Sequence, residues 1–495
     1  MVSYSDVVYY LSLLACIATG EYYKRVDDRT TKRNYGTGLG LLVTWLICGS
    51  SMIHSALMLW GNIIIIKCCN RRYIHQLSFA YTWLYLMYMN YNMDVTTNYV
   101  LWIHQVIALR LVGLAFEITM SEKVKLYSQR HSLKGDAKPL FSKHQLDSSP
   151  TSNQNILSTN RFTRSSAVGY EYADLSSAPV EPSVLDVISY TYYFIGLHRG
   201  PYYRWKTFNE HFDTPFGTLG NCRKITEHKC KKAVVFTFIY MAICRQFPAE
   251  AYNEEAFYFS HGSDYRYLYN IPQMITYVLQ CQIVMMLCTS VFTEAGFGVY
   301  PTKTQPLPGF GPSAKFSLLK LASTMESVAL EQEYNFAMLR CFQNDALLMG
   351  PRMRDTLRAW EMPTRYWFWT NTYKNLIKSN KEVRSAVSFL AWSLWSGISM
   401  HQMVICSTLW VHLHLENEYA EMYNTSAMKV PWDIGFSIMR LFCLIYLTPC
   451  FVLDNYSIIL RYYNSIFWLY HVVLLWLILA AVVVQKQRIM SAATL

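Results

Sequence analysis

Residues Tyr99–Phe116 read YVLWIHQVIALRLVGLAF, a run broken only by one His, one Gln and one Arg. A helix that crosses a bilayer needs about 20 mostly apolar residues, and this run comes close. The pattern returns along the chain at Val7–Tyr22, Gly38–Ser50, Met52–Ile66, Leu77–Met93, Ala233–Ile243, Met274–Phe292, Val387–Leu413, Ile434–Leu453 and Ile458–Val484. Several of these runs are too short for a full crossing and read as re-entrant or tilted segments. The expectation is an all-α integral membrane protein with about ten or eleven transmembrane or re-entrant helices. A single polytopic domain is expected to span residues 1–495.

Composition agrees. The chain is 52% hydrophobic, 16% aromatic and 16% charged, against about 25% charged in a typical soluble domain. Mean hydropathy is a modest +0.11, because 38 tyrosines score as polar while behaving as amphipathic rings. The formal net charge of +11 is scattered between the apolar runs. That distribution follows the excess of Lys and Arg in cytosolic loops and excludes a clustered nucleic-acid-binding stripe. Lys24, Arg25, Arg29, Lys32 and Arg33 follow the first run, which has no small-residue cleavage site and reads as a retained anchor. Lys486 and Arg488 after the last run point to a cytosolic C-terminal tail.

One polar stretch interrupts the apolar series, at about residues 121–183. Its core, SSPTSNQN at Ser148–Asn155, buries too little apolar surface to offset its ordering entropy and reads as a disordered loop. Thirteen cysteines are scattered without a paired spacing. Cys222, His228 and Cys230 match no zinc pattern, and no phosphate-binding loop, dinucleotide fingerprint or HExxH occurs. No metal or cofactor is expected.

Ionisable residues at membrane depth are costly and are functional candidates by default. Here they are His54, His104, Arg110, Glu294, His401 and Arg440. Individually each reads as an interior group bonded to backbone. Together they imply a polar cavity inside the bundle, which suits a transporter, a lipid-modifying enzyme or a lipid-binding protein.

Four blocks in order narrow the choice. They are YTYYFIGLHRGPYYRWKTFNEHFDTPF (Tyr190–Phe216); EAFY at Glu255–Tyr258 with EAGFGVYP at Glu294–Pro301; EYNFAMLR from Glu333 with WEMPTRYWFWTNTY at Trp360–Tyr373; and RSAVSFLAWSLWSGISM from Arg384. Their order and content resemble the membrane-bound O-acyltransferase superfamily, in its lysophosphatidylinositol acyltransferase branch. The resemblance implies a helical bundle around a tunnel and transfer of an acyl group from acyl-CoA to a lysophospholipid hydroxyl. It also implies an endoplasmic reticulum membrane location, with membrane lipids, lysophospholipid and acyl-CoA as partners. In such a site a His takes the acceptor proton and an Asn polarises the thioester, because an alcohol attacks poorly until deprotonated and the developing oxyanion needs a donor.

At the matching positions this chain departs from the family. Trp360-Glu361 stands where Trp-Asn is expected, and Trp395-Ser396-Gly397 where Trp-His-Gly is expected. A serine hydroxyl is not a base near neutral pH, and an ionised carboxylate repels an oxyanion. Losing a general base costs about 10²–10⁴-fold in rate. One reading is therefore a degenerate acyltransferase that binds lipid without turnover. Another is an active enzyme with a rebuilt site, in which Glu361 or His401 is the base. His401 lies about 140° round a continuous helix from Ser396, a poor substitute unless the helix breaks at Gly397. A transporter is the remote third reading, since no half-to-half repeat is visible.

Trp360, Trp395 and Gly397 are candidate substrate contacts. Arg204, in the Gly-Pro-aromatic-aromatic-Arg block, is a candidate for a phosphate of CoA or lysolipid, since guanidinium suits that geometry; a structural ion pair is the other reading. Asn424-Thr425-Ser426 is a glycosylation sequon, informative if its loop is luminal.

Overall fold

The computed structural model describes residues 3–92, 98–133, 181–397 and 399–493; the Ser148–Asn155 stretch lies outside them. The main helices begin with α1 (Tyr4–Lys24), α2 (Arg29–Cys48), α3 (Met52–Cys68), α4 (Ile74–Asn92) and α5 (Asn98–Leu133). After the polar stretch come α6 (Val184–Tyr192), α7 (Trp205–His211), α8 (Cys222–Gln246) and α9 (Asn270–Glu294). Short helices and a two-residue antiparallel pair, Tyr300–Pro301 with Tyr334–Asn335, occupy the region before α10 (Met353–Ala359) and α11 (Met362–Phe368). The chain then runs through α12 (Lys381–Ser396), α13 (Met400–Thr425), α14 (Lys429–Val452), α15 (Tyr456–Ser465) and α16 (Leu469–Ala493).

Some helix starts are written in the sequence. Ser3 and Asp6 form a reciprocal capping box on α1, and Ser183 with Asp186 forms another on α6. Asp28 caps α2 through the Thr31 N–H. Each cap satisfies donors that the first turn leaves without partners.

By length and apolar character, Arg29–Cys68, Asn98–Leu126, Ser263–Glu294 and Lys429–Val452 are able to cross a bilayer, and the bent pair Tyr456–Ser465 with Leu469–Val484 makes a fifth. The remaining expected runs are also helical, but they are shorter or richer in tyrosine and charge, so the surrounding bundle must carry them. Apolar side chains such as Trp45, Trp60, Ile434, Ile438 and Trp476 point outward, as a lipid-facing surface requires. This is an all-α membrane protein that passes the bilayer several times.

The structure corrects three boundaries. Val387–Leu413 is two helices, because Gly397 adopts φ 145° and ψ 155°, a region essentially restricted to glycine. Ile458–Val484 is likewise two helices, bent by 65°. α5 runs on to Leu133, into the first part of the stretch expected to be a loop.

The core has two large parts. One gathers α1 to α6 with α9, and the other gathers α13 to α16 with the segment around Tyr252. A smaller aromatic cluster bridges α4, α5, α11 and α12. In it Trp83 stacks on Trp367 at 5.3 Å. The indole N–H groups of Trp83, Trp367 and Trp395 donate to the carbonyls of Ala391, Leu109 and Gln105 at 2.9, 2.9 and 3.1 Å. These bonds tie α12 to α4 and fix both α11 and α12 against α5.

Between α6 and α7 the backbone is irregular and every residue but Arg199 is buried, which is tolerable at membrane depth only if its polar groups find protein partners. α5 supplies them. Arg110 donates to the carbonyls of Tyr190, Thr191 and Tyr193 at 3.2, 3.1 and 2.9 Å, and to that of Ile195. Glu117, about two turns further along α5, accepts from the N–H groups of Trp205 and Lys206 at 2.8 and 3.0 Å. A cation thus sits at the C-terminus of α6 and an anion at the N-terminus of α7, each matched to the partial charge it faces.

Candidate functional site

The segment clamped by Arg110 and Glu117 carries Arg199 and Gly200 into a cavity of about 690 Å³. Gly200 has φ 99°, a conformation that L side chains rarely adopt. Six of the predicted site residues line the same cavity: Trp360, Glu361, Trp395, Ser396, Gly397 and His401. The sequence places them on either side of two helix boundaries, and tertiary packing turns both boundaries inward.

Glu361 sits between α10 and α11 in the left-handed region, at φ 37° and ψ 56°. That backbone costs on the order of 1–3 kcal/mol and persists only where its surroundings hold it. The Met362 N–H on the Cys341 carbonyl (2.9 Å) and the Gln343 N–H on the Ala359 carbonyl (3.0 Å) do so. Its carboxylate accepts from the Arg199 guanidinium at 3.3 Å, with the two side chains 16% and 21% exposed. Arg199 in turn lies 4.2 Å over the Trp102 ring. Next to Glu361, Trp360 stacks on Tyr277 at 6.2 Å and packs against Phe342 at 4.9 Å.

Ser396 ends α12. The side-chain amide of Gln105 on α5 donates to the Trp395 and Ser396 carbonyls at 3.0 and 3.3 Å, so the frayed helix end is capped from across the cavity. Beyond the Gly397 break, His401 lies in the first turn of α13, where its Nε2 is 2.9 Å from the Ser399 hydroxyl. The break that sequence reasoning made a condition for His401 is present.

Arg204 is placed elsewhere. Its Nε donates to the Phe310 carbonyl at 2.7 Å and its guanidinium lies 3.9 Å over the Phe310 ring, away from the cavity lining. Among the interior ionisable groups, His54, His104, Arg110, Glu294 and Arg440 are also outside the lining. His54 meets the Tyr85 hydroxyl at 3.0 Å, and His104 Nδ1 lies 2.7 Å from the Val100 carbonyl. Arg440 donates to the Leu347 and Leu348 carbonyls at 2.9 and 3.0 Å. These groups serve the scaffold, and of the six only His401 reaches the cavity. Among the described residues no group of three metal-ligating side chains converges.

Sequence reasoning passed over Arg199, Gln105 and Asp454, all of which line the cavity. Arg199 lay inside the quoted Tyr190–Phe216 block, and an arginine beside a Gly-Pro turn in an aromatic run was the available signal. Gln105 was visible as the polar residue next to His104. Asp454, just past an apolar run, carried no signal, because only packing brings that end of α14 to the site.

Comparison with known proteins agrees with this architecture. The model of the membrane-bound O-acyltransferase family matches residues 77–453. The chain is 26% identical over 476 residues to the membrane-bound acylglycerophosphatidylinositol O-acyltransferase frj of Drosophila melanogaster, covering 94% of this chain and 89% of the relative. It is 24% identical over 477 residues to the human acylglycerophosphatidylinositol O-acyltransferase MBOAT7 (94% and 90% covered), and 25% identical over 484 residues to the Danio rerio protein of the same description (94% and 92%). With the family match running through both helix boundaries that form the cavity, this chain belongs to the membrane-bound O-acyltransferase family.

Proposed function

We propose that the chain transfers an acyl group from acyl-CoA to a lysophospholipid hydroxyl within the 690 Å³ cavity, in the endoplasmic reticulum membrane, with His401 as the base. The observation that carries this reading is the helix break at Gly397, which brings His401 to the cavity that Ser396 and Glu361 line. A hydroxyl, that of Ser399, already lies 2.9 Å from its Nε2. That distance suits proton transfer from an alcohol.

The chemistry then balances within the site. As the acceptor oxygen attacks the thioester carbonyl, its proton passes to His401 and a C–O bond forms. The tetrahedral oxyanion collapses, the C–S bond breaks, and the departing CoA thiolate takes the proton from the imidazolium. Arg199 offsets the Glu361 carboxylate, so the developing oxyanion does not face an uncompensated negative charge. The likeness to acylglycerophosphatidylinositol O-acyltransferases supports a lysophospholipid acceptor and an acyl-transfer reaction.

The Arg199–Glu361 ion pair favours a second reading, lipid binding without turnover, because it puts a carboxylate where the resemblance expects an Asn. An acyl-transfer assay on the purified chain in vesicles separates the two. Under the first reading wild type turns over lysophosphatidylinositol or lysophosphatidylcholine, and His401→Gln loses about 10²–10⁴-fold. Unchanged turnover in His401→Gln removes the imidazole from the mechanism. A silent wild type alongside an active Glu361→Asn/Ser396→His double variant establishes the second reading.

A further inference from the structure

A second cavity, of about 330 Å³, lies between α13, α14 and α16, and it shares no lining residue with the larger one. Leu415, Tyr419, Trp432, Phe436, Met439 and Leu477 give it a largely apolar wall. At Gly435 the wall carries no side chain, and a Cβ placed there meets nothing within 4 Å. On either flank Ile434 and Ile438 of α14, and Trp476 and Leu479 of α16, are exposed. α14 is long and apolar enough to cross the bilayer, so these side chains face lipid and the groove beside them is filled from the membrane.

Two ionisable groups interrupt the apolar wall, His412 and Glu416, one turn apart on α13. Such groups inside a membrane bundle are costly and are functional candidates by default. His412 is engaged: Nδ1 meets the Tyr470 hydroxyl, and Nε2 lies 3.9 Å from Glu416 Oε2. The Tyr419 hydroxyl is engaged too, donating to the Leu477 carbonyl at 2.9 Å. Glu416 is 4% exposed. Its Oε2 accepts from the Met353 N–H at 2.8 Å, while Oε1 is buried with no hydrogen-bond partner among the described residues. A buried acceptor without a donor is destabilising. An apolar pocket with one placed polar group selects a ligand of the same pattern, here a hydrocarbon body with a single hydroxyl. A rigid fused-ring body fills such a groove with little loss of conformational freedom, whereas two flexible acyl chains would each have to be ordered.

We propose that this second cavity binds a membrane sterol, whose hydroxyl donates to Glu416 Oε1 while its ring system lies beside Trp432 and Phe436 over the gap at Gly435. The site is separate from the acyl-transfer cavity, and the inference does not rest on the proposed reaction.

The test is equilibrium binding of two radiolabelled probes, cholesterol and its 3-keto analogue cholest-4-en-3-one, to the full chain in a sugar-headgroup detergent. The ketone keeps the apolar body but has no proton to offer a carboxylate. Wild type is expected to saturate with cholesterol and to bind it about tenfold more tightly than the ketone, the worth of a hydrogen bond to a charged group. Glu416→Gln keeps an acceptor for the Met353 N–H, and its amide both donates and accepts, so the two affinities should come within about twofold. Gly435→Leu replaces a helix-weakening glycine with a good helix former and fills the groove, which should weaken cholesterol binding about tenfold. Equal or inverted affinities in wild type, an unchanged ratio in Glu416→Gln, or undiminished binding in Gly435→Leu overturns the proposal. Saturation by a diacylglycerol where cholesterol fails to bind assigns the groove to a flexible lipid and also overturns it. Displacement of cholesterol by lysophosphatidylinositol places both in one site and removes the second one. If Glu416→Gln fails to fold, Gly435→Leu decides alone. Binding is read without turnover, so each of these results leaves the acyl-transfer reading untouched.

Discussion

Arg110 offers the sharpest test of how the site is held. Its side chain is among the largest fully buried ones, and it donates to four carbonyls at the junction that carries Arg199. It also lies 4.9 Å over the Tyr203 ring. In Arg110→Met the carbonyls of Tyr190, Thr191, Tyr193 and Ile195 all lose a charge-assisted donor. Each such loss costs about 1 kcal/mol or more when water cannot replace it. The cation–π contact adds about 1 kcal/mol, and the apolar methionine returns about the same through packing. The net expectation is a loss of about 4 kcal/mol. Buried ion pairs are often replaceable by apolar residues, but here the charge is answered by backbone carbonyls that remain behind. Arg110→Lys, with three donors on a point charge, recovers about half the loss. The thirteen free cysteines, nine of them buried, give a direct assay: a thiol-reactive fluorophore reports unfolding in detergent as the temperature rises. A Met variant that melts with wild type refutes the carbonyl-clamp account, and full rescue by Lys shows that charge alone suffices.

Three further outcomes follow from particular contacts. Coulomb's law at an effective dielectric of about 20 gives about 5 kcal/mol for a pair at the Arg199–Glu361 separation. Desolvation removes more than half of that, so a double-mutant cycle through Arg199→Met and Glu361→Met should give a coupling of about 2 kcal/mol; zero coupling means the pair is only a proximity. Gly397→Ala meets no atom closer than 4.0 Å yet must hold φ 145°, so a loss of about 1–3 kcal/mol and weakened lysolipid binding are expected in melting and binding assays. The hydroxyl of Thr30 and the Thr31 hydroxyl and N–H groups hold Asp28 down to about 2, below the unfolded value near 3.9. Its cap therefore adds stability above pH 4 that disappears as pH falls through 2, and the wild-type advantage over Asp28→Ala should vanish there in melting curves; an advantage that persists unchanged at pH 2 contradicts the assignment.

Much of the site is legible in the sequence. Trp360, Glu361, Trp395, Ser396 and Gly397 stand out in their blocks and His401 just after the last one, and all six line one cavity. They are legible because they occupy chain-local features, tryptophan pairs and a glycine at a helix boundary, that mark the sequence wherever they fold. Arg204 stayed between two readings for a related reason. A guanidinium in a polar-aromatic block suits a phosphate or a carbonyl equally well, and only the approach of Phe310 from 106 residues away decides which.

The sequence by itself determined that the chain is an all-helical membrane protein, where its main apolar helices lie, and which blocks carry the acyltransferase likeness. Those properties are local: apolar length, capping side chains and motif order depend on residues a few positions apart. Tertiary structure decided the rest. It broke Val387–Leu413 so that His401 reaches the cavity, paired Arg199 with Glu361 across 162 residues, and spent most of the interior ionisable groups on the scaffold. These outcomes turn on which buried polar group meets which partner. In an interior without water every such group must be satisfied, but the pairing is set by packing between distant helices, which no local pattern encodes.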